Sequence, residues 1–434
     1  MHTQELLHTL CALWGHPRAG REEIIAFQNR KIRHLIRHAC RDVVYYQRLF
    51  ERTGIHPEDI STVHDLALLP ITERNDLKTV PPSDLFSRHV SPDRLVRRVT
   101  SGSSGRPFVV RRAPLEDHVI NMFRVRAQRQ YGLRLRDRIA GVVAVGIAGQ
   151  NRASFLTGLR QAAGVHRYYP VNCLQPPETV RSRLEELNPD VITGYPSAIA
   201  RMPLLYGAFP GARRLRYITC GGESLTSLKR KAIEEGYGAP VFDILGAHEC
   251  NIVAWECPET GLYHVCDDNI VAEVVRDRQR VREGERGELV VTTLHSHAMP
   301  FIRYRLGDVV VKGPDTCPCG RPFSTFREIG GRIRDYFTLP DGRSVHPLEV
   351  VLPVITDNAP WLNQFQMTQE TETRFVLRVS TLREPTAGEL STLQEIALDR
   401  IGRGAEFRIQ VVDHIPFEAS GKFKDCRSLL LSDE

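Results

Sequence analysis

Residues 99–110, "VTSGSSGRPFVV", set hydroxyls and glycines side by side with no apolar side chain among residues 100–106 to bury. Thr100, Ser101, Gly102, Ser103, Ser104 and Gly105 can turn backbone N–H groups and hydroxyls toward one point, a cradle for phosphate oxygens. Their small size lets the backbone itself approach an anion. No Gly-Lys-Ser/Thr closes the loop, so it is not a Walker motif; a plain flexible turn is the other reading. A second group of residues has metal-ligand character. "ECPETGLYHVC" holds Cys257 and His264 seven apart, and "TCPCGRP" holds Cys317 and Cys319 two apart. A Cys-Pro-Cys-Gly knuckle aims two thiolates at one centre, and Cys257 with His264 would complete a tetrahedral Cys₃His shell for Zn²⁺. Cys250 and Cys266 are alternative ligands, and small buried cysteines are the alternative reading. A closed shell of this kind is structural. The third feature is a lysine. Only seven of the 58 basic residues are lysines, and Lys422 stands in "ASGKF" near the C-terminus, a flexible stem ending in a point charge.

The elements that must position these groups follow from pattern. With 434 residues, 41% hydrophobic and 25% charged, the chain has the balance of a soluble enzyme with one large domain and one smaller one. No apolar run reaches the ~20 residues of a membrane helix. "ELLHTLCALWG" lacks the length and basic start of a signal peptide, so a cytoplasmic place is expected. Ten cysteines in such a chain argue against a disulfide framework. The net charge of +6 is densest at Arg124–Arg138, which reads as a solvated helix face; no aromatics are interleaved to stack bases, so no nucleic-acid partner is expected. Residues 22–53 carry helical periodicity, and Ser61 and Thr72 are N-cap candidates. "IAGVVAVGI", "DVITGY", "LRYITCGG" and "PVFDILG" alternate with helical segments, which points to a parallel α/β sheet, whereas "GELVVTTL" looks antiparallel. From residue 333 a hairpin at Asp341-Gly342, a helix, a strand, a helix and a strand suggest a compact α+β unit. The expected organisation is therefore a large α/β domain over 1–332 and a small mobile α+β domain over 333–434, hinged near Arg332–Tyr336.

Taken in order, the loop at 100–105, "TCGGESL" (219–225), "FDILGAHEC" (242–250), "GERGELVVTTLHSHAMPFIRYRLGD" (284–308) and "HIPFEASGKFKD" (414–425) resemble the adenylate-forming superfamily of acyl-CoA synthetases. Within it the likeness is to the phenylacetate–coenzyme A ligase family, which "HACRDVVYYQRLFERTGI…DLALLPIT" also resembles. The resemblance implies ATP-dependent activation of a carboxylic acid to an acyl-adenylate, then transfer to coenzyme A with release of AMP and pyrophosphate. It implies that residues 100–105 grip the β- and γ-phosphates and that Glu249 ligates Mg²⁺. Gly221, Gly222 and Glu223 would line adenine, joined by Gly246. Asp308 would accept the ribose hydroxyls and Arg332 would add a ribose or phosphate contact. Lys422 would bridge the substrate carboxylate and α-phosphate, arriving on the small domain. Ile147, Ala148, Tyr195 and His248 would line an acyl pocket suited to an aryl or arylacetic acid.

The chain departs from the family pattern at four places. Arg106 stands where a lysine is usual, Leu245 where an aromatic covers adenine, and Arg334 at the first Asp of the hinge; a Leu-Pro-Asp-Gly hairpin follows the hinge. An amine or carrier acceptor in place of coenzyme A stays open, as does a non-catalytic nucleotide- or zinc-binding relative. A homodimer is likewise open.

Overall fold

The computed structural model describes residues 9, 13–99, 108–145, 163–209, 214–356, 358–402 and 404–430. The fold is mixed α/β, as expected. Two compact units emerge: one takes in Met1–Arg136, Ala148–His166 and Phe242–Ile329, the other Asp137–Ile147, Arg167–Val241 and Gly330–Glu434. Among the described residues no helix is long and apolar enough to cross a membrane.

In the first unit the helical stretch at 22–53 forms two helices, Arg21–Asp42 and Val44–Thr53, because Val43 is extended (φ −124°). Their apolar stripe, including Ile32, Leu35, Ile36 and Leu49, packs on strands Ile270–Arg276, Arg286–Thr293 and Tyr304–Lys312. These strands pair antiparallel, as "GELVVTTL" suggested. Thr72 does not cap the helix Arg74–Thr79; Glu73 and Asp76 form its capping box. Thr72 is instead bound sideways, its hydroxyl donating to Ile302 O at 3.0 Å and its N–H to Arg303 O at 2.8 Å. The basic helix Pro114–Gln130 also differs from a solvated face. Arg126 is buried against Phe123, Trp255 and Phe323 and forms a two-pronged ion pair with Asp268, which also accepts from His16 at 3.0 Å.

The second unit holds the expected parallel sheet, in the order Arg167–Asn172, Arg138–Val143, Val191–Gly194, Tyr217–Cys220. Every residue of Tyr217–Cys220 is buried, as in a strand covered on both faces. Helices Pro177–Leu187, Pro196–Tyr206 and Ser227–Tyr237 supply Leu184, Ile199 and Ile233 to its core. Residues 337–426 build a separate core around Phe337, Trp361, Phe375 and Leu393. There a four-stranded sheet, ordered Glu406–Val411, Arg374–Thr381, Leu362–Gln369, Cys426–Ser428, packs with helices Pro347–Ile355 and Ala387–Ile401. The hairpin at Asp341-Gly342 is present, joining Phe337–Thr338 to Ser344–Val345.

Candidate functional site

Lys422 sits at the end of a tight turn. The Gly421 N–H donates to Glu418 O and the Glu418 N–H to Lys422 O, both at 2.8 Å, and Gly421 takes a left-handed φ of +75°. The turn rests on the C-terminal end of strand Arg138–Val143: a Cβ at Gly421 would lie 2.5 Å from Ala144 Cβ and 2.8 Å from Cys173 Sγ. From there the half-buried Lys422 side chain reaches Tyr195, its ammonium 5.9 Å from the ring centroid, within cation–π range. Its Cε lies 3.5 Å from where a Cβ on Gly222 would stand. The C-terminal lysine thus meets a residue assigned from sequence to the acyl pocket and one assigned to the adenine lining. Burial, with Cys173 and Glu223 nearby, pushes the Tyr195 hydroxyl up to about 12, so it stays a neutral donor.

Glu223 lies between these elements. One carboxylate oxygen accepts from the Phe423 N–H at 2.5 Å, the other from the Ser197 N–H at 3.1 Å at the start of helix Pro196–Tyr206. Burial raises its pKa, opposed by the Lys229 charge. Lys229 in turn binds Asp425 at 2.6 Å and Ser224 O at 3.3 Å. The two that reach the Lys422 segment are hidden in sequence order, because Glu223 lies 200 residues from Phe423 and Lys229 lies 196 from Asp425.

In the first unit Glu249 is buried at the end of "LGAHE". Its Oε1 accepts from the Tyr304 hydroxyl at 2.9 Å and from Arg74 at 3.0 Å, while Arg74 Nε donates to Tyr304 Oη at 3.0 Å. Burial disfavours the Arg74 charge, but Tyr304 and Glu249 outweigh it and raise its pKa. Sequence reading missed Arg74 and Tyr304. Tyr304 lies inside the quoted 284–308 stretch, four residues before Asp308, and that position was the available signal. Asp308 is half-buried, His248 is exposed with its carbonyl held by Arg112, and Gly246 approaches Asn251 so closely that a Cβ would lie 2.6 Å from the Asn251 carbonyl oxygen. In the second unit Arg332 is exposed at the end of strand Thr325–Arg332. Residues 100–105, Arg106, Ile147 and Ala148 lie outside the described residues.

Cys257, His264, Cys317 and Cys319 converge, their donor atoms within 4.8 Å of one another. A turn closed by the Cys257 N–H to Leu262 O (2.6 Å) and the Gly261 N–H to Cys257 O (3.0 Å) joins strands Ala254–Glu256 and Tyr263–Val265, with Cys257 just past the end of the first and His264 on the second. Gly320, with φ +85°, folds Cys-Pro-Cys-Gly back so that its N–H meets Cys317 O at 3.0 Å. His264 Nε2 lies 3.3 Å from Cys319 Sγ. Burial, with Arg321 and Arg126, pushes the imidazole down to about 3, so it is neutral as a ligand must be. Burial opposes the Cys319 thiolate, but Arg321 and the neighbouring thiols outweigh it and lower its pKa. The donor set suits zinc. Cys250 and Cys266 are not part of this cluster.

No protein-family model matches the chain. Over 348 residues it is 30% identical to a phenylacetate–coenzyme A ligase of Escherichia coli (strain K12), 76% of each chain being covered. It is 29% identical over 352 residues to the enzyme of that name from Thermus thermophilus, covering 78% of this chain and 77% of that one. Its fold matches a 2-hydroxyisobutyryl-CoA ligase, solved in the postadenylation state in complex with 2-HIB-AMP, with a TM-score of 0.78, 96% and 91% coverage and 21% identity.

Proposed function

The chain belongs to the phenylacetate–coenzyme A ligase family of adenylate-forming enzymes, and from that membership we propose that its acid is aryl or arylacetic. It is an adenylate-forming acid–CoA ligase that uses ATP and coenzyme A. The carboxylate attacks the α-phosphorus of ATP and expels pyrophosphate; the thiol then attacks the acyl carbon and expels AMP. Charge gathers on phosphorus and on the leaving group in the first step, so positioning and electrostatic stabilisation carry it.

In this reading Lys422 places its ammonium between the acid's carboxylate and the α-phosphate, neutralising both as they meet. The contact that supports it is that ammonium lying over Tyr195, with the side chain's Cε beside Gly222. Residues 100–105 hold the departing phosphates, Asp308 and Arg332 the ribose, and Gly221, Gly222 and Gly246 the base. Tyr195 and His248, with Ile147 and Ala148, shape the acyl pocket. Glu249 fits a hard dication: Arg74 and Tyr304 both bind Oε1, and a magnesium ion would take a carboxylate oxygen. When bound, magnesium neutralises phosphate charge. Cys257, His264, Cys317 and Cys319 hold a structural zinc that braces the strands leading to the hinge. Residues 333–434, with their own core, act as the mobile small domain, and the enzyme works in the cytoplasm.

Carboxylate-dependent ATP–pyrophosphate exchange over a panel of acids tests the proposal. Aryl and arylacetic acids should drive exchange above background, and coenzyme A should then yield the thioester. Exchange driven only by short aliphatic acids would overturn the substrate assignment.

A further inference from the structure

The Lys422 segment, a partly exposed turn, is held by buried contacts on both sides of the lysine. Ahead of the lysine, Gly421 is wedged against Ala144 and Cys173, its carbonyl accepting from the Cys173 thiol at 3.6 Å. Just after it, the Phe423 N–H is taken by Glu223. Two residues further, Asp425 is taken by Lys229, with the two side chains only 8% and 11% exposed. Asp425 immediately precedes strand Cys426–Ser428 of the four-stranded sheet, and its carbonyl accepts from the Met367 N–H at 2.8 Å on the neighbouring strand. Lys229 belongs to helix Ser227–Tyr237 on the parallel sheet. The pair therefore ties one sheet system to the other three residues from Lys422.

Stability alone does not call for such a pair. A buried ion pair contributes little more than well-packed apolar residues of the same volume, yet removing one partner is costly. An ion pair has a property that an apolar contact lacks: both halves are well solvated when parted. It suits a contact that must form and release.

We propose that Lys229 and Asp425, with Glu223 on the Phe423 N–H, form a releasable catch that holds Lys422 in the acid-activating stance, so that Lys229 is a positioning residue for adenylate formation. This rests on the reading of Lys422 above. The catch acts in the first half-reaction only; thioester formation from preformed acyl-adenylate proceeds without Lys422 and hence without the catch.

Lys229→Met and Asp425→Asn, in the full chain, test this in two assays: acid-dependent ATP–pyrophosphate exchange, and thioester formation from synthetic acyl-adenylate and coenzyme A. Each variant should lose about 150-fold to 5,000-fold in exchange kcat, as for one broken buried pair, with the KM values for ATP and acid little changed. The second half-reaction should stay within about twofold of wild type, which also reports an intact fold. The reversed pair, Lys229→Asp with Asp425→Lys, should recover most of the exchange. Unchanged exchange, or equal loss of both half-reactions, would overturn the catch. Lys422→Ala runs in parallel: if it spares exchange, the reading of Lys422 has failed, whereas if it abolishes exchange while Lys229→Met does not, only the catch has failed.

Discussion

Gly421→Ala puts one methyl group where the structure has no room for it. The new Cβ would lie 2.5 Å from Ala144 Cβ, 2.8 Å from Cys173 Sγ and 3.2 Å from the Ala144 backbone nitrogen. Carbon atoms rest at about 3.5–4.0 Å, so the first contact overlaps by about 1 Å, against a methyl group that cannot swing aside. Overpacking of this kind costs about 1–3 kcal/mol. The φ of +75° adds about 1–2 kcal/mol for a residue with a Cβ, but that strain follows the turn wherever it goes. The clash alone depends on the turn being seated, so it is the part that unseats Lys422. At about 1.4 kcal/mol per decade, exchange should fall about 5-fold to 150-fold. Thioester formation from preformed acyl-adenylate should be nearly unaffected. Ala144→Gly in the same background removes the shortest contact and should return part of the loss. Wild-type exchange in Gly421→Ala would refute the seating of this turn during acid activation.

Zinc analysis of protein purified without chelator should give about one ion per chain, and Cys319→Ser should lose it and lower the Tm, since ligand loss removes folding free energy; wild-type protein with no bound zinc would contradict the site. Arg126→Met takes the arginine from the buried Asp268 carboxylate, leaving it with His16, and should cost about 3–5 kcal/mol in urea unfolding. Burial alone would raise the pKa of Asp268, but Arg126 and His16 hold it well below the carboxylate range. Its contribution is therefore complete above the unfolded value of about 3.9 and fades as pH falls below it, so the stability gap between wild type and Asp268→Asn should shrink on acidification. Arg74→Met leaves Oε1 of buried Glu249 with the Tyr304 hydroxyl alone; losing a hydrogen bond to a charged group should lower exchange about tenfold or more, and unchanged exchange would separate Glu249 from catalysis.

Local chemistry was legible in the sequence wherever neighbours in the chain are neighbours in space. The Asp341-Gly342 hairpin and the helix Ala387–Ile401 stand where pattern placed them. So does the alternation behind the parallel sheet, because buried strands there read as short apolar runs. The strand Leu362–Gln369 escaped notice, since Gln364, Thr368 and Gln369 along it are buried polar residues that break its apolar pattern. The four metal-type residues were legible because cysteine spacing carries information across a loop. Arg126 looked solvated because its partner Asp268 is 142 residues away. Glu223 drew attention as part of a glycine motif, yet its two hydrogen bonds go to Ser197 and Phe423, a pairing that only the assembled sheets create. Arg74 and Tyr304 on Glu249 are the same case.

The most direct test is to split the reaction at residue 422. Lys422→Ala should form acyl-adenylate at least about a hundredfold more slowly, as expected when a charge acting only on the transition state is removed. From supplied acyl-adenylate and coenzyme A the same protein should make thioester at close to the wild-type rate. An unimpaired first half-reaction, or a second one lost in equal measure, would contradict the account.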